Sequence, residues 1–136
     1  GWKKEYREDS GGVGRYRGGL GQVMEIENRE GAPFVISSMF DRVKYPARGR
    51  RGGGAGLLGE MYLQRPGEGA GPIKGDTLKA KGRQRIPAGE RLVMAMPGGG
   101  GYGPVSERDR DAVLDDVRNG LVSRESAVKD YGVTPD

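Results

Sequence analysis

Arg91-Leu92-Val93-Met94-Ala95-Met96-Pro97-Gly98-Gly99-Gly100-Gly101-Tyr102-Gly103-Pro104 is the stretch on which the fold turns. Arg91 to Met96 is short and apolar and reads as a strand. Pro97 and the glycines behind it end that strand, because neither residue type sustains a ladder. Before this point every patterned segment has strand character, and after Pro104 the periodicity becomes helical. Strands followed by helices predict an α+β fold.

Upstream, Trp2 to Arg7 alternates as a strand, with Trp2, Lys4 and Tyr6 on one face. Leu20 to Glu27 places Val23, Glu25 and Glu27 opposite Met24 and Ile26. Pro33 to Met39 is β-branched and apolar, the strongest strand signal in the chain. Arg42 to Gly59 reads as a long loop, since Pro46 and the glycines after Arg48 prevent regular structure. Glu60 to Gln64, Thr77 to Ala80 and Arg83 to Ile86 complete the strands, with turns at Lys81-Gly82 and Pro87-Ala88-Gly89.

Downstream, Ser106 is the expected N-cap of a helix, with Asp109 three residues on. Val113, Leu114 and Val117 form an apolar stripe, and Asn119-Gly120 stops the helix. Ser123 caps a second helix over 124–131 that ends at Gly132. Val113, Leu114, Val117, Ala127, Val128 and Tyr131 are expected to dock this hairpin. The expected architecture is a β-rich body of short strands over 1–104, sandwich- or barrel-like. A C-terminal helical hairpin over 105–136 packs on it, the two forming one unit. Gly1 in place of Met reads as a piece cut or processed from a longer chain.

Composition narrows the chemistry. The chain has 136 residues, 34% of them hydrophobic, and a mean hydropathy of -0.71, lean for a self-sufficient core. Its 27 glycines are clustered without a three-residue period, which reads as a loop-rich fold leaning on a neighbour. With no Cys and no His, a disulfide framework, a zinc-finger spacing and a Ser-His-Asp or Cys-His machine are all excluded within this chain. The absence of Cys fits a cytoplasmic protein. No apolar run approaches the ~20 residues of a membrane span. Residues 107–136 carry five basic and eight acidic side chains, so against a total of +4 the first 106 residues hold +7. A basic body can meet nucleic acid, an anionic substrate or an acidic partner.

Three motifs invite a functional reading. Gly98 to Gly103 formally satisfies G-x-G-x-x-G between a strand and a helix. No following strand completes a βαβ unit, so close backbone approach by Gly98, Gly99, Gly100 and Gly101 is favoured over phosphate binding. Arg15-Tyr16-Arg17-Gly18-Gly19 and Arg48-Gly49-Arg50-Arg51-Gly52-Gly53-Gly54 resemble RGG-type RNA-binding segments. They are short and unrepeated, and the plainer reading is solvated arginine or arginine meeting a partner's carboxylates. Asp9-Ser10 and Asp41-Arg42 offer polar groups at strand ends, for which a turn and a local ion pair are the simpler roles.

Taken in order, these segments resemble a known family. Asp9-Ser10-Gly11-Gly12-Val13-Gly14-Arg15-Tyr16-Arg17-Gly18-Gly19-Leu20-Gly21 is similar to the DSGGxGxxRGGxG stretch of the hydantoinase B/5-oxoprolinase family. Phe40-Asp41-Arg42 with Tyr45-Pro46, and Ile86-Pro87-Ala88-Gly89-Glu90 through Pro104, resemble its "DR…FP" and "PAGD…TPGGGGYGxP" segments. The tail from Arg108-Asp109 through Tyr131-Gly132-Val133 resembles the helical end of those subunits. Val13 stands where the family usually has Pro, Tyr45 where it usually has Phe, and Met96 where it often has Thr.

The resemblance implies the carboxy-terminal region of a B-type subunit, several times longer than this chain. The parent enzyme would hydrolyse cyclic amides such as hydantoin or 5-oxoproline, or carboxylate ketones. Its A-type partner subunit would handle ATP and Mg²⁺, in a cytoplasmic hetero-oligomer. No cofactor and no catalytic residue is expected in this piece itself. Arg15, Arg17, Asp41 and Arg42 are expected near the surface shared with the rest of the subunit or the A-type subunit. The alternative is an RNA- or polyanion-binding module built on the RGG-like loops.

Overall fold

The computed structural model describes residues 2–29, 31–39, 45–65, 73–78 and 81–136. Seven strands precede two helices: β1 (Trp2–Tyr6), β2 (Gln22–Glu27), β3 (Phe34–Met39), β4 (Glu60–Arg65), β5 (Ile73–Thr77), β6 (Lys81–Ile86), β7 (Arg91–Ala95), α1 (Arg110–Arg118) and α2 (Arg124–Lys129). The fold is α+β. A five-stranded sheet runs β1-β2-β7-β4-β5, and β3 pairs with β6 in a second sheet. All these pairs are antiparallel.

Register follows from side-chain alternation. Across β2, β7 and β4, Ile26 pairs with Leu92 and Leu92 with Leu63, while Met24 pairs with Met94 and Met94 with Met61. These two rows share one face. A slip of one residue would turn every one of them toward the opposite face. Met61 and Leu92 pack against Ile86, the last residue of β6, so that end of the second sheet meets this face. On the reverse face, the row Glu27, Arg91 and Gln64 is polar. Arg91 lies 3.5 Å from Glu25 and 3.9 Å from Glu27.

Asn28 joins the two sheets. It is buried at the end of β2, and its Nδ2 donates to the carbonyls of Ile86 (2.9 Å) and Ala32 (3.2 Å). Its backbone N–H donates to Glu90, and its carbonyl accepts from Gly89. Asn28→Ala leaves the Ile86 and Ala32 carbonyls without this donor. It is expected to cost about 1–3 kcal/mol, read as a lower urea midpoint at unchanged m-value. A midpoint equal to wild type would show that water replaces the amide without loss.

The strand reading needs two changes. β5 begins at Ile73 and ends at Thr77, so the expected strand over 77–80 overlaps it only at its end; residues 79 and 80 lie outside the described residues. Lys81-Gly82 is not a turn but the start of β6, paired with Met39 and Ser38. The ladder with β3 outweighs the weak strand propensity of a single glycine.

The helical end also differs from expectation. Ser106 lies in a single 3₁₀ turn, Val105–Glu107, and extended Arg108 separates that turn from α1. The N-cap is Asp109, whose Oδ1 accepts from Asp111 N at 3.0 Å. Ser123 caps α2 by accepting from Ser126 N at 3.1 Å. Gly120 and Gly132 take φ of +72° and +64°, the left-handed values that end helices. The hairpin core is Val113, Val122, Ala127 and Val133, joined by Leu114, Val117 and Tyr131. Val128 was expected to dock but is 51% exposed. It follows Ala127 by about 100° around a helix of 3.6 residues per turn, and Ala127 takes the inward position.

Candidate functional site

Three glycine-rich segments, 10–21, 48–57 and 97–104, come together between the sheet and the hairpin. They are bound mainly by backbone. Gly12 N–H donates to Gly99, Gly99 to Gly19, Gly54 to Val13, Gly101 to Gly54, and Gly56 to Ala47, at 2.7–3.0 Å. The chains lie so close that side chains are excluded. A Cβ on Gly98 would fall onto the Ser10 carbonyl, one on Gly100 onto Arg48 O, and one on Gly101 onto Val13 O. Gly99 has slightly more room, with Gly19 N 3.2 Å from such an atom.

This arrangement does not fit a nucleotide phosphate. The N–H groups of Gly98, Gly99, Gly101, Tyr102 and Gly103 are already donated to the carbonyls of Leu57, Gly19, Gly54, Tyr16 and Arg50. A phosphate cradle needs such donors free. Ser106 starts no α-helix that could supply others. Among the described residues, no group of three or more His, Cys, Asp or Glu is placed to hold a metal ion.

Ser10 is fully buried. Its Oγ donates to Arg7 O at 2.6 Å and accepts from Gly21 N at 2.9 Å, while its carbonyl accepts from Leu57 N. Asp9 adopts φ +61°, which a short polar side chain tolerates. Its N–H donates to Leu121 O, and its carboxylate accepts from Ser123 N at 2.8 Å. The pair therefore makes more than a turn: it holds the loop before α2 against the body.

Arg17 points inward. Its Nε donates to Asp116 Oδ2 at 3.0 Å, and Arg108 Nη2 donates to the same oxygen at 2.8 Å. The side chains of Arg17, Asp116 and Arg108 are 18%, 10% and 12% exposed. Arg108 also donates to Arg15 O at 3.2 Å and lies 6.0 Å from the Tyr131 ring centroid. Its Nε finds no acceptor among the described residues. Burial, helped by the Asp116 charge, pushes the Tyr131 hydroxyl above its ordinary pKa, while Arg108 and Arg17 pull it back. Its neutral form is thus favoured by folding. Any stability attached to it is present below about pH 10 and lost only at higher pH.

Arg15 points outward, its guanidinium 5.3 Å from the Tyr16 ring centroid. Asp41 and Arg42 lie outside the described residues. Beside the hairpin, an open cleft of about 330 Å³ is lined by Val13, Leu57, Asp9, Ser126, Asp130 and Tyr131, among others. Ser126 Oγ donates to Asp130 Oδ2 at 2.8 Å there. Sequence reasoning missed Asp116. The available signal was an acidic residue three positions after Val113, hence on the apolar stripe.

The family model described as hydantoinase B/oxoprolinase matches residues 2–105. The chain belongs to the hydantoinase B/oxoprolinase family. Caprolactamase subunit beta of Pseudomonas jessenii is 40% identical over 134 residues, covering 94% of this chain and 22% of that protein. 5-Oxoprolinase 1 of Arabidopsis thaliana is 41% identical over 101 residues, covering 71% and 7%. The crystal structure of the ATP-dependent caprolactamase from Pseudomonas jessenii aligns with a TM-score of 0.71 at 30% identity, over 98% of this chain and 23% of that one. The chain thus spans at most about a quarter of the length of these family members. Within the matched residues, Asp9-Ser10-Gly11-Gly12 supplies the inward Ser10, and Arg17-Gly18-Gly19 supplies the inward Arg17.

Proposed function

We propose that this chain is the carboxy-terminal domain of a B-type subunit in an ATP-dependent enzyme that opens cyclic amides or carboxylates ketones. Its own role is structural: residues 105–136 pack on 1–104 as one unit, and that unit joins the rest of the subunit and an A-type companion in a cytoplasmic hetero-oligomer. ATP and Mg²⁺ belong to the companion. The observation that carries this reading is the internal use of the motif's polar groups. Ser10, Asp9 and Arg17 each spend their hydrogen bonds on the chain's own backbone or on Asp116. A catalytic constellation instead needs a nucleophile and a base aimed at a shared point. Relatives named as subunits and an ATP-dependent structural neighbour support the assembly.

The test compares this purified chain with the full-length subunit plus its companion, in an assay of ATP hydrolysis stimulated by hydantoin, 5-oxoproline, caprolactam or a ketone. The assembly is expected to turn over at least one, and the chain alone none. Turnover by the chain alone overturns the structural role. No ATP-dependent turnover by the assembly on any of these substrates overturns the enzyme class.

A further inference from the structure

We propose that the exposed row Arg15, Tyr16, Tyr102 and Arg50 is a docking surface for an acidic stretch of the companion subunit. The proposal rests on the functional reading above for the existence of that subunit, and goes beyond it in naming the surface and the chemistry it takes.

The row is built by the glycine junction. Tyr16 and Tyr102 exchange backbone hydrogen bonds, each 2.9 Å. On the other side of Tyr102, Arg50 N–H donates to Gly101 O and Gly103 N–H donates to Arg50 O, both at 2.9 Å. Residues paired across a β-bridge project their side chains to the same side. Tyr16, Tyr102 and Arg50 therefore stand side by side. The two rings are 6.2 Å apart and tilted by 36°, and Arg15 sits over Tyr16. Tyr16 is 57% and Tyr102 45% exposed, large aromatic areas to leave in water.

The charge is uncompensated. Arg15, Arg48, Arg50 and Arg51 are exposed and form no ion pair among the described residues; Arg65, Arg85 and Arg110 share that state elsewhere, but these four gather at the glycine junction. Chains bury guanidinium groups in their own cores only when paired, while Tyr and Arg are enriched at interfaces and supply most binding hot spots. The hydrogen-bonded backbone beneath holds the row in place, so little ordering entropy is lost on binding. An acidic stretch supplies carboxylates for the arginines and lays its apolar stems on the rings. Single-stranded RNA is the other polyanion that Arg and Tyr receive, but it is bound by aromatics spaced along a groove, and among the described residues this row holds two adjacent rings.

The test uses the full-length subunit and its companion. The double variant Arg15→Ala/Arg50→Ala is expected to weaken their Kd roughly tenfold or more and to flatten its salt dependence. Arg118→Ala, on the exposed face of α1, leaves the Kd unchanged. Both arginines are exposed, so an unchanged melting temperature separates binding from folding. A photocrosslinker placed as Tyr102→p-benzoylphenylalanine is expected to label the companion. An unchanged Kd in the double variant, or crosslinks confined to the subunit's own chain, overturns the proposal. So does tight binding of fluorescent oligouridine by the wild type that is lost in the double variant. These readouts need no turnover. An assembly that binds through this row without ATP-dependent activity sinks the enzyme reading alone, and an active assembly with an unchanged Kd sinks the docking surface alone.

Discussion

Gly98→Ala is expected to lower the thermal midpoint by roughly 10 °C, the equivalent of about 2–3 kcal/mol in a chain of this size. The added Cβ would meet the carbonyl oxygen and carbon of Ser10, and lie 3.0 Å from Gly11 N. None of these is the free end of a side chain. Ser10 is held by its own hydroxyl to Arg7 O and Gly21 N, and by its carbonyl to Leu57 N. Gly98 is itself held by its N–H to Leu57 O. Two anchored backbones must separate, which lies at the top of the ~1–3 kcal/mol range for overpacking. Alanine also restricts the unfolded chain, which returns about 0.4–1 kcal/mol; the clash exceeds it. Gly19→Ala gains the same restriction with nothing within 4 Å of its Cβ, and should melt within a few degrees of wild type. Calorimetry of the two variants reads the difference. Equal melting of Gly98→Ala and wild type would mean that the segments are not packed this closely.

Asp116→Ala is expected to cost about 3 kcal/mol or more, because it strands two largely buried guanidinium groups. One carboxylate oxygen accepts from both Arg17 and Arg108, and Arg108 Nε already lacks an acceptor among the described residues. Arg17→Met should be milder, since it leaves the Asp116–Arg108 pair intact and keeps an apolar stem in place. The contrast distinguishes a stranded charge from lost packing. Arg17 lies in the glycine junction and Asp116 in α1, so the damage should appear as loosening of the hairpin. Urea titration should show the lower midpoint, and limited proteolysis should cut first in the link over 104–109. Asp116→Ala at wild-type stability would show that water reaches and solvates both arginines.

The strands were legible because alternation reports which residues share a face: Met24 and Ile26 do lie together on the core side of β2. The second helix was legible because Ser123 and Gly132 are local signals whose physics acts over one turn. The start of the first helix was misplaced because Ser106 and Asp109 both qualify as caps. Extended Arg108, donating to Arg15 O and to Asp116, decides between them. Likewise Lys81-Gly82 has the composition of a turn, and only the partner strand β3 makes it strand.

Local sequence alone set the class of the fold, the helix ends that capping controls, and the lack of imidazole and thiol groups within these 136 residues. It also determined family membership, since the glycine motifs stand in one order along the chain. Only the tertiary structure decided that β7 lies between β2 and β4, that Arg17 turns in to Asp116 while Arg15 turns out, and that Tyr16, Tyr102 and Arg50 stand in one row. The physical reason is that periodicity and capping are properties of neighbours in sequence. Pairing between distant segments is fixed by long-range hydrogen bonds and by the space that each absent side chain leaves for another backbone.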